Sequence, residues 1–218
     1  MLPVASFALH ITAARAGRQM TRLLAEFRSA TAETHDRLHR HPALRDLTAT
    51  SLTPAFYGFS LTRFYGFYKT CENLYANSGH ELLSLFPAGH TLQWLAADLA
   101  RLGIDVDTVP VLPESESRFD HARVLAYLYL REGSNLGGKV ISRHLEDNLG
   151  LRPGLDNRFF WGNGENTGER WRLFRERLGF YEDSTDITEA GRHAGELFER
   201  LEAWLSRNED VTCTSNPG

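Results

Sequence analysis

A glycine-rich stretch that ends in a lysine is the first candidate for chemistry in this sequence. Residues Gly133–Lys139, GSNLGGK, fit the pattern G-x-x-x-x-G-K, in which backbone amides and a lysine bind the phosphates of a nucleotide. Such a loop also needs a preceding strand, and a Ser or Thr after the lysine to bind the metal. Val140 occupies that position, and the chain offers no parallel sheet for a strand to join. The sequence therefore disfavours a nucleotide site.

The same stretch is better explained as part of a helix. Apolar residues before it, in RVLAYLYL, and after it, in VISRHL, keep helical spacing, which predicts one long helix interrupted by Gly133, Gly137 and Gly138. Each glycine costs about 1 kcal/mol relative to alanine inside a helix. Three of them indicate either close contact between helices or the approach of backbone to a bulky, flat ligand, with a kink where the helix opens.

A histidine and an arginine on an earlier helix form the second candidate group. In LLAEFRSATAETHDRLHRHP, His35 follows Arg28 by nearly two helical turns, so both lie on one face. A neutral imidazole is a suitable axial ligand for iron, and an arginine about 10 Å along the axis can pair with an anionic group. His39 and His41 are competing ligands, and spacing alone does not choose among the three.

The elements that must position these residues are all predicted to be helices. Apolar residues keep helical spacing over 21–41, 91–102, 120–149, 168–180 and 188–207. Thr53 and Pro54 begin another helix as N-cap and first helical residue, and a short helical piece is expected near 81–85. Prolines and glycines indicate loops over 104–118 and 150–168. We predict a single all-α domain of seven or eight helices.

Composition and charge limit the kind of protein. The chain has 218 residues, a formal net charge of −4 and two cysteines. The near balance of charge argues against a nucleic-acid partner, and no apolar run reaches the roughly 18 residues of a membrane span. Cys71 and Cys213 form no disulfide framework, which favours a reducing, cytoplasmic location. We predict a flexible extension over 1–20, a folded domain over 21–207 and a disordered tail over 208–218.

Several segments together resemble the haem oxygenase family, particularly its bacterial members associated with bacteriophytochromes. ATAETH resembles the proximal-helix motif of the family, EGSNLGGKVI resembles its distal-helix motif, and RFFWGNG followed by ERWRLFRERL is similar to bacterial members. The resemblance covers residues 21–207 and keeps the family's order of motifs. It implies packed helices with haem held between the first helix and the glycine-kinked one.

The resemblance also implies an activity and its partners. Haem, both cofactor and substrate, would be opened to biliverdin, CO and ferrous iron with O₂ and electrons from a reductase or ferredoxin-type donor. A bacteriophytochrome would accept the biliverdin. The iron ligand falls on His35, and Phe198 lines the pocket. Arg28 and Arg175 would pair with the haem propionates. Arg172 and Arg177 are neighbours with a weaker claim to that role.

One departure from the family pattern affects the distal side. The resemblance places all three glycines, Gly138 included, over the haem face, where they let backbone approach and keep large side chains away. Animal-type members carry an aspartate directly after the first of these glycines, where it organises a chain of water, and this sequence has Ser134. Either Ser134 with Asn135 and water takes over that task, or another residue such as Arg131 does. The predicted catalytic residues are Gly133, Ser134 and Gly137.

Two other functions remain as alternatives. A haem-binding or storage protein of the same fold would hold haem without opening it, although such a carrier is free to fill the sixth iron position with a side chain. A related helical fold acting on a small heterocycle, such as a thiamine derivative, would need a cysteine and carboxylates in its pocket. Cys71 lies on an apolar helical stripe, which indicates a core position instead.

Overall fold

The structure, a computed structural model, describes residues 20–114 and 116–207, so the predicted extension before residue 20 and the predicted tail lie outside it. The described residues form eight α-helices: α1 Arg22–Arg40, α2 Pro42–Arg45, α3 Pro54–Ala76, α4 His90–Arg101, α5 His121–Leu149, α6 Arg158–Trp161, α7 Thr167–Tyr181 and α8 Ile187–Leu205. Four 3₁₀ turns lie between them, at Asp46–Thr48, Glu81–Ser84, Val106–Thr108 and Gly164–Asn166. No β-strand occurs in these ranges, which confirms the predicted all-α class. No helix among them is long and apolar enough to cross a membrane.

Side-chain caps explain where the long helices begin. The hydroxyl of Thr21 accepts a hydrogen bond from an amide in the first turn of α1, and Thr53 does the same for α3, with Pro54 as the first helical residue. Asp120 caps α5, and Asp186 caps α8. The caps Thr21, Asp120 and Asp186 mark the starts of three of the five spaced segments, and the predicted ends of all five fall within two residues of the observed ones.

The helix that carries the glycines, α5, is continuous. It runs for 29 residues and ends at Gly150, whose φ of 68° lies in the left-handed region that favours glycine. The predicted interruption does not occur, because backbone hydrogen bonding continues past Gly133, Gly137 and Gly138. Packing of α5 against its neighbours offsets the intrinsic cost of the glycines.

The central position of α5 determines the architecture. It packs against α3, α6, α7 and α8, while α1 makes its broadest contact with α8 and a smaller one with α7. The buried core between these helices is rich in aromatic side chains, among them Tyr57, Phe67, Tyr75, Tyr127, Phe174 and Trp204. The helices α1 and α5 therefore share two neighbours, α7 and α8.

A buried carboxylate fixes the short helix α6. Asp98 on α4 is 1 % exposed and accepts hydrogen bonds at 2.9 Å from the backbone amides of Arg158 and Phe159. It also accepts one from the Tyr57 hydroxyl at 3.4 Å. A carboxylate at this position satisfies amides that the start of a helix leaves unpaired. Asp98 thus sets where α6 meets α5.

Replacement of Asp98 tests this anchor. Asp98→Ala should lower the free energy of unfolding by about 1–3 kcal/mol, because it leaves buried amides without an acceptor. Asp105→Ala, which removes the exposed cap of a 3₁₀ turn, is the control and should cost at most about 1 kcal/mol. Urea unfolding of the purified protein measures both changes. Equal losses in the two variants would contradict the anchoring role of Asp98.

Candidate functional site

The exposed face of α1 carries the first candidate group. Arg28 and His35 are both accessible to solvent. Thr31, which lies between them, and Leu38, which follows them, are buried in the core. The Arg28 guanidinium donates a hydrogen bond to the Met20 sulfur at 3.2 Å and makes no ion pair with a described residue. The structure thus places Arg28 and His35 on the same side of α1, where both are available to a ligand.

The environment of His35 suits a metal ligand. Its ring lies 6.2 Å from the ring of Phe198 on α8 and 4.5 Å from that of His39, measured between centroids. Partial burial, followed by the proximity of His39, lowers the pKa of His35 below its ordinary value, and Asp36 opposes the shift only in part. The imidazole is therefore neutral at pH 7, with a lone pair available to a metal.

The competing histidine His41 has a structural role. Its Nδ1 accepts a hydrogen bond from the backbone amide of Ala43 at 3.2 Å, which caps α2, and its Nε2 lies 3.0 Å from the Ser206 hydroxyl. Because both ring nitrogens are occupied, His41 is a poor candidate for a metal ligand. His39 is exposed one turn beyond His35 and remains the competitor to be tested.

A cluster of four aromatic rings connects α1 to α5, and we call it the aromatic cluster: Phe27, Tyr129, Trp171 and Phe198. Tyr129 of α5 stacks on Phe27 of α1 at 5.0 Å and lies 6.0 Å from Trp171 and 6.1 Å from Phe198. Its hydroxyl is 3.4 Å from that of Thr31. Of these four rings, only Phe198 was predicted from the sequence as a pocket residue. Tyr129 precedes Gly133 by four residues, a spacing that places both on one side of the helix and could have identified it.

The three glycines of α5 have different surroundings. A Cβ at Gly138 would lie 2.6 Å from the carbonyl oxygen of Phe160, so this glycine allows close packing against α6. A Cβ at Gly133 would lie 3.6 Å from the ring of Trp171, and one at Gly137 would meet no described atom within 4 Å. Packing therefore accounts for Gly138, whereas Gly137 faces open space. The place of all three over haem stays a prediction.

An apolar strip surrounds Gly137 on the outside of α5. Leu136 is 42 % exposed and Val140 is 56 % exposed. Together with Gly133 and Gly137 they share one side of the helix, which we call the open face. The open space beside Gly137, together with these two exposed apolar side chains, makes this face a candidate binding surface. Neither Leu136 nor Val140 was predicted as a site residue, although their spacing around the glycines is visible in the sequence.

A serine and a tyrosine lie beside the open face. The Ser134 hydroxyl donates to the carbonyl of Arg131 at 2.9 Å and lies 3.3 Å from the hydroxyl of Tyr68 on α3. Since the one proton of Ser134 is committed, Tyr68 is the donor in the second bond. Burial raises the pKa of Tyr68 above its ordinary value, so this hydroxyl keeps its proton. Asn135, by contrast, packs beside Gly162.

The predicted propionate partners on α7 differ in how far they are already paired. Arg172 bonds Glu176 on its own helix at 2.6 Å, and Arg177 lies over the Phe180 ring at 5.6 Å. Arg175 has a buried Nε with no hydrogen-bond partner among the described residues. An unpaired buried donor is costly, so Arg175 is the member of this group whose environment best fits an added anionic ligand.

The described residues thus form an all-helical protein with candidate ligand-binding groups on two of its helices, α1 and α5. The chain belongs to the heme oxygenase family, because the family model described as Heme oxygenase matches residues 21–207. No curated protein matches the chain.

Solved structures show the same fold. The heme oxygenase from Leptospira interrogans superposes with a TM-score of 0.64 at 18 % identity, covering 85 % of this chain and 99 % of that one. The NO- and CO-bound heme oxygenase from Neisseria meningitidis gives a TM-score of 0.64 at 22 % identity, covering 86 % and 91 %. The arrangement of helices is therefore that of bacterial haem oxygenases.

Two neighbouring glycines provide a matched test of the site geometry. Gly137→Ala should raise the free energy of unfolding by up to about 1 kcal/mol, because alanine favours helix and its methyl group meets nothing. Gly138→Ala should lower it by about 1–3 kcal/mol, because the methyl group collides with the Phe160 carbonyl. Chemical denaturation of the haem-free variants measures the difference. A destabilised Gly137→Ala protein would show that the open face is covered.

Proposed function

We propose that this protein binds haem between α1 and α5 and opens it oxidatively to biliverdin, CO and ferrous iron, using O₂ and an external electron donor. One observation carries the proposal. A neutral, accessible His35 on α1 and the glycine-containing open face of α5 are joined through a single aromatic cluster. Family membership over residues 21–207 supports the same reaction.

The residues present fit haem as a ligand and substrate. His35 would hold the iron through its neutral imidazole. Tyr129, Trp171 and Phe198 of the aromatic cluster, with Leu136 and Val140, would cover the apolar part of the porphyrin. Arg28 and Arg175 would pair with the propionates, since both have donors that are not committed to ion pairs among the described residues. When bound, haem supplies the iron that activates O₂ and the ring that is opened.

The distal side would be formed by backbone and by hydroxyl groups. Gly133 and Gly137 keep side chains away from the haem surface. Tyr68, kept protonated by burial, donates to Ser134, and the Ser134 oxygen has one further lone pair to hold water. We propose that these two hydroxyls replace the aspartate of the animal-type members in organising the water through which protons reach the site.

A haem carrier without turnover is the alternative function. A carrier can fill the sixth iron position with a histidine or methionine. The open face, which consists of Gly133, Leu136, Gly137 and Val140, has no such side chain. This composition favours catalysis over storage.

The proposed partners follow from the resemblance, and the proposed location follows from the cysteine content. We propose a reductase or ferredoxin-type electron donor, and a bacteriophytochrome as the acceptor of biliverdin, because the matching segments together resemble bacterial members associated with that photoreceptor. Cytoplasmic location is proposed because the chain has only two cysteines. Of these, Cys71 is a buried free thiol.

A haem titration followed by reduction tests the proposed function. Purified protein should bind haem near one to one. Addition of ascorbate or of a reduced ferredoxin system in air should then replace the haem absorbance with that of biliverdin. Haem that stays bound and intact under both reductants would favour the carrier instead.

Replacement of His35 tests the iron ligand, with His39→Ala as the matched control one turn away. His35→Ala should lose the nitrogenous axial ligand and its turnover, and added imidazole should restore part of the activity. The absorbance and resonance Raman spectra of the ferrous protein measure the ligand. Since the pKa of His35 is lowered, protons should displace the iron only below the ordinary histidine range near pH 6.5. Loss of the ligand in His39→Ala but not in His35→Ala would reverse the assignment.

Removal of both proposed propionate partners should alter where the ring is opened. Exposed ion pairs contribute about 0.2–1 kcal/mol each, so Arg28→Ala and Arg175→Ala should each raise the Kd for haem only a few fold. The double variant should shift the biliverdin isomer distribution, because haem would rotate in its plane. Chromatography of the products measures the shift, and Arg172→Ala is the control. An unchanged distribution in the double variant would refute this role.

A further inference from the structure

One end of the open face is closed by a tryptophan. The ring of Trp171 on α7 lies 3.6 Å from the Cβ position of Gly133, whereas the Cβ position of Gly137, one turn along α5, has no described atom within 4 Å. Trp171 is half-buried and packs against Phe174 at 5.6 Å and Tyr129 at 6.0 Å. The indole therefore forms a wall at the Gly133 end of the strip.

An ion pair between α7 and α5 lies directly beside this wall. The guanidinium of Arg170 bonds the carboxylate of Glu132 at 3.3 and 3.4 Å, and the Glu132 side chain is 3 % exposed. Arg170 precedes Trp171 in the sequence, and Glu132 precedes Gly133. The pair thus joins α7 and α5 one residue before the contact between the Trp171 indole and Gly133. It fixes the position of one helix along the axis of the other.

Glu132 cannot move to follow a displaced helix, because it belongs to a buried network. Arg131 donates to Glu132 at 3.0 and 3.2 Å and to Glu72 of α3 at 3.2 Å. It also donates to the carbonyls of Phe86 and Pro87, both at 3.2 Å. Displacement of Glu132 would weaken the pairing of charges that are buried in this network, which is unfavourable. The position of the Glu132 carboxylate on α5 is therefore fixed, and its ion pair with Arg170 restrains the position of α7.

We propose that Trp171 determines the regiochemistry of haem opening and that Arg170 is its positioning residue. The indole limits how far the porphyrin edge reaches toward Gly133, and the pair of Arg170 with Glu132 holds the indole at that distance. This inference rests on the proposed function, since it names a further residue, beside Arg28 and Arg175, that selects the orientation of the substrate.

Arg172 provides a control on the other side of the indole. It is 54 % exposed and pairs with Glu176 at 2.6 Å and Glu169 at 3.8 Å, both on α7 itself. The changes Arg170→Gln and Arg172→Gln remove the same charge from positions adjacent to Trp171. Only the first one breaks a bond to α5.

The orientation of haem can be read without turnover. In the full-length protein loaded with ferric haem and cyanide, the paramagnetic NMR shifts of the haem methyl groups report the in-plane rotation of the ring. Trp171→Leu and Arg170→Gln should both change this pattern and the ratio of biliverdin isomers. Arg170→Lys should restore the wild-type pattern in part, and Arg172→Gln should keep it unchanged.

The outcomes separate this inference from the function on which it rests. A wild-type protein that binds no haem would refute the proposed function itself. Wild-type methyl patterns in Arg170→Gln and in Trp171→Leu would overturn the inference alone. If Trp171→Leu fails to fold, Trp171→Phe takes its place in the comparison. A lower melting temperature of haem-free Arg170→Gln with an unchanged haem orientation would show a merely structural ion pair, and would also overturn the inference.

Discussion

The burial of charge around the middle of α5 is the constraint on which the rest of the structure depends. Arg131 and Glu72 are almost completely removed from water, and such charges are tolerated only when each has partners at close range. Glu72 accepts from the Tyr127 hydroxyl and from the backbone amide of Gly89, both at 2.8 Å. Two long helices and the segment before α4 must therefore meet in one register. That register decides which residues of α5 point away from the core.

One side of α5, which we call the held side, packs against the core, and the opposite side, which we call the free side, faces open space. The glycines on the two sides therefore have different roles. Gly138 lies on the held side, where α6 approaches so closely that no side chain fits. Gly137 lies only one residue further back but on the free side, where space is left beside Leu136 and Val140. A single run of small residues thus serves both the packing of the scaffold and the shape of its surface.

Local information in the sequence was enough for the helices and for the face of α1 that carries Arg28 and His35. Caps and apolar spacing depend on neighbours within one or two turns, and they gave the helix ends closely. The interruption of α5 was wrongly expected because the cost of glycine was weighed without the packing that offsets it. Tyr68 and Trp171 could not be foreseen, since their contacts with Ser134 and Gly133 join residues far apart in the chain.

If haem binds the open face as proposed, the apolar strip there would link the supply of ligand to the stability of the protein. Without a ligand, Leu136 and Val140 remain in contact with water, and such a surface promotes self-association. A molecule that binds only the folded state adds RT ln(1 + [L]/Kd) to its stability, about 2.7 kcal/mol at a hundredfold excess over Kd. For a protein whose ligand is also consumed, each turnover withdraws that stabilisation until the next molecule arrives. Its cellular abundance would then rise and fall with the flux of its own substrate.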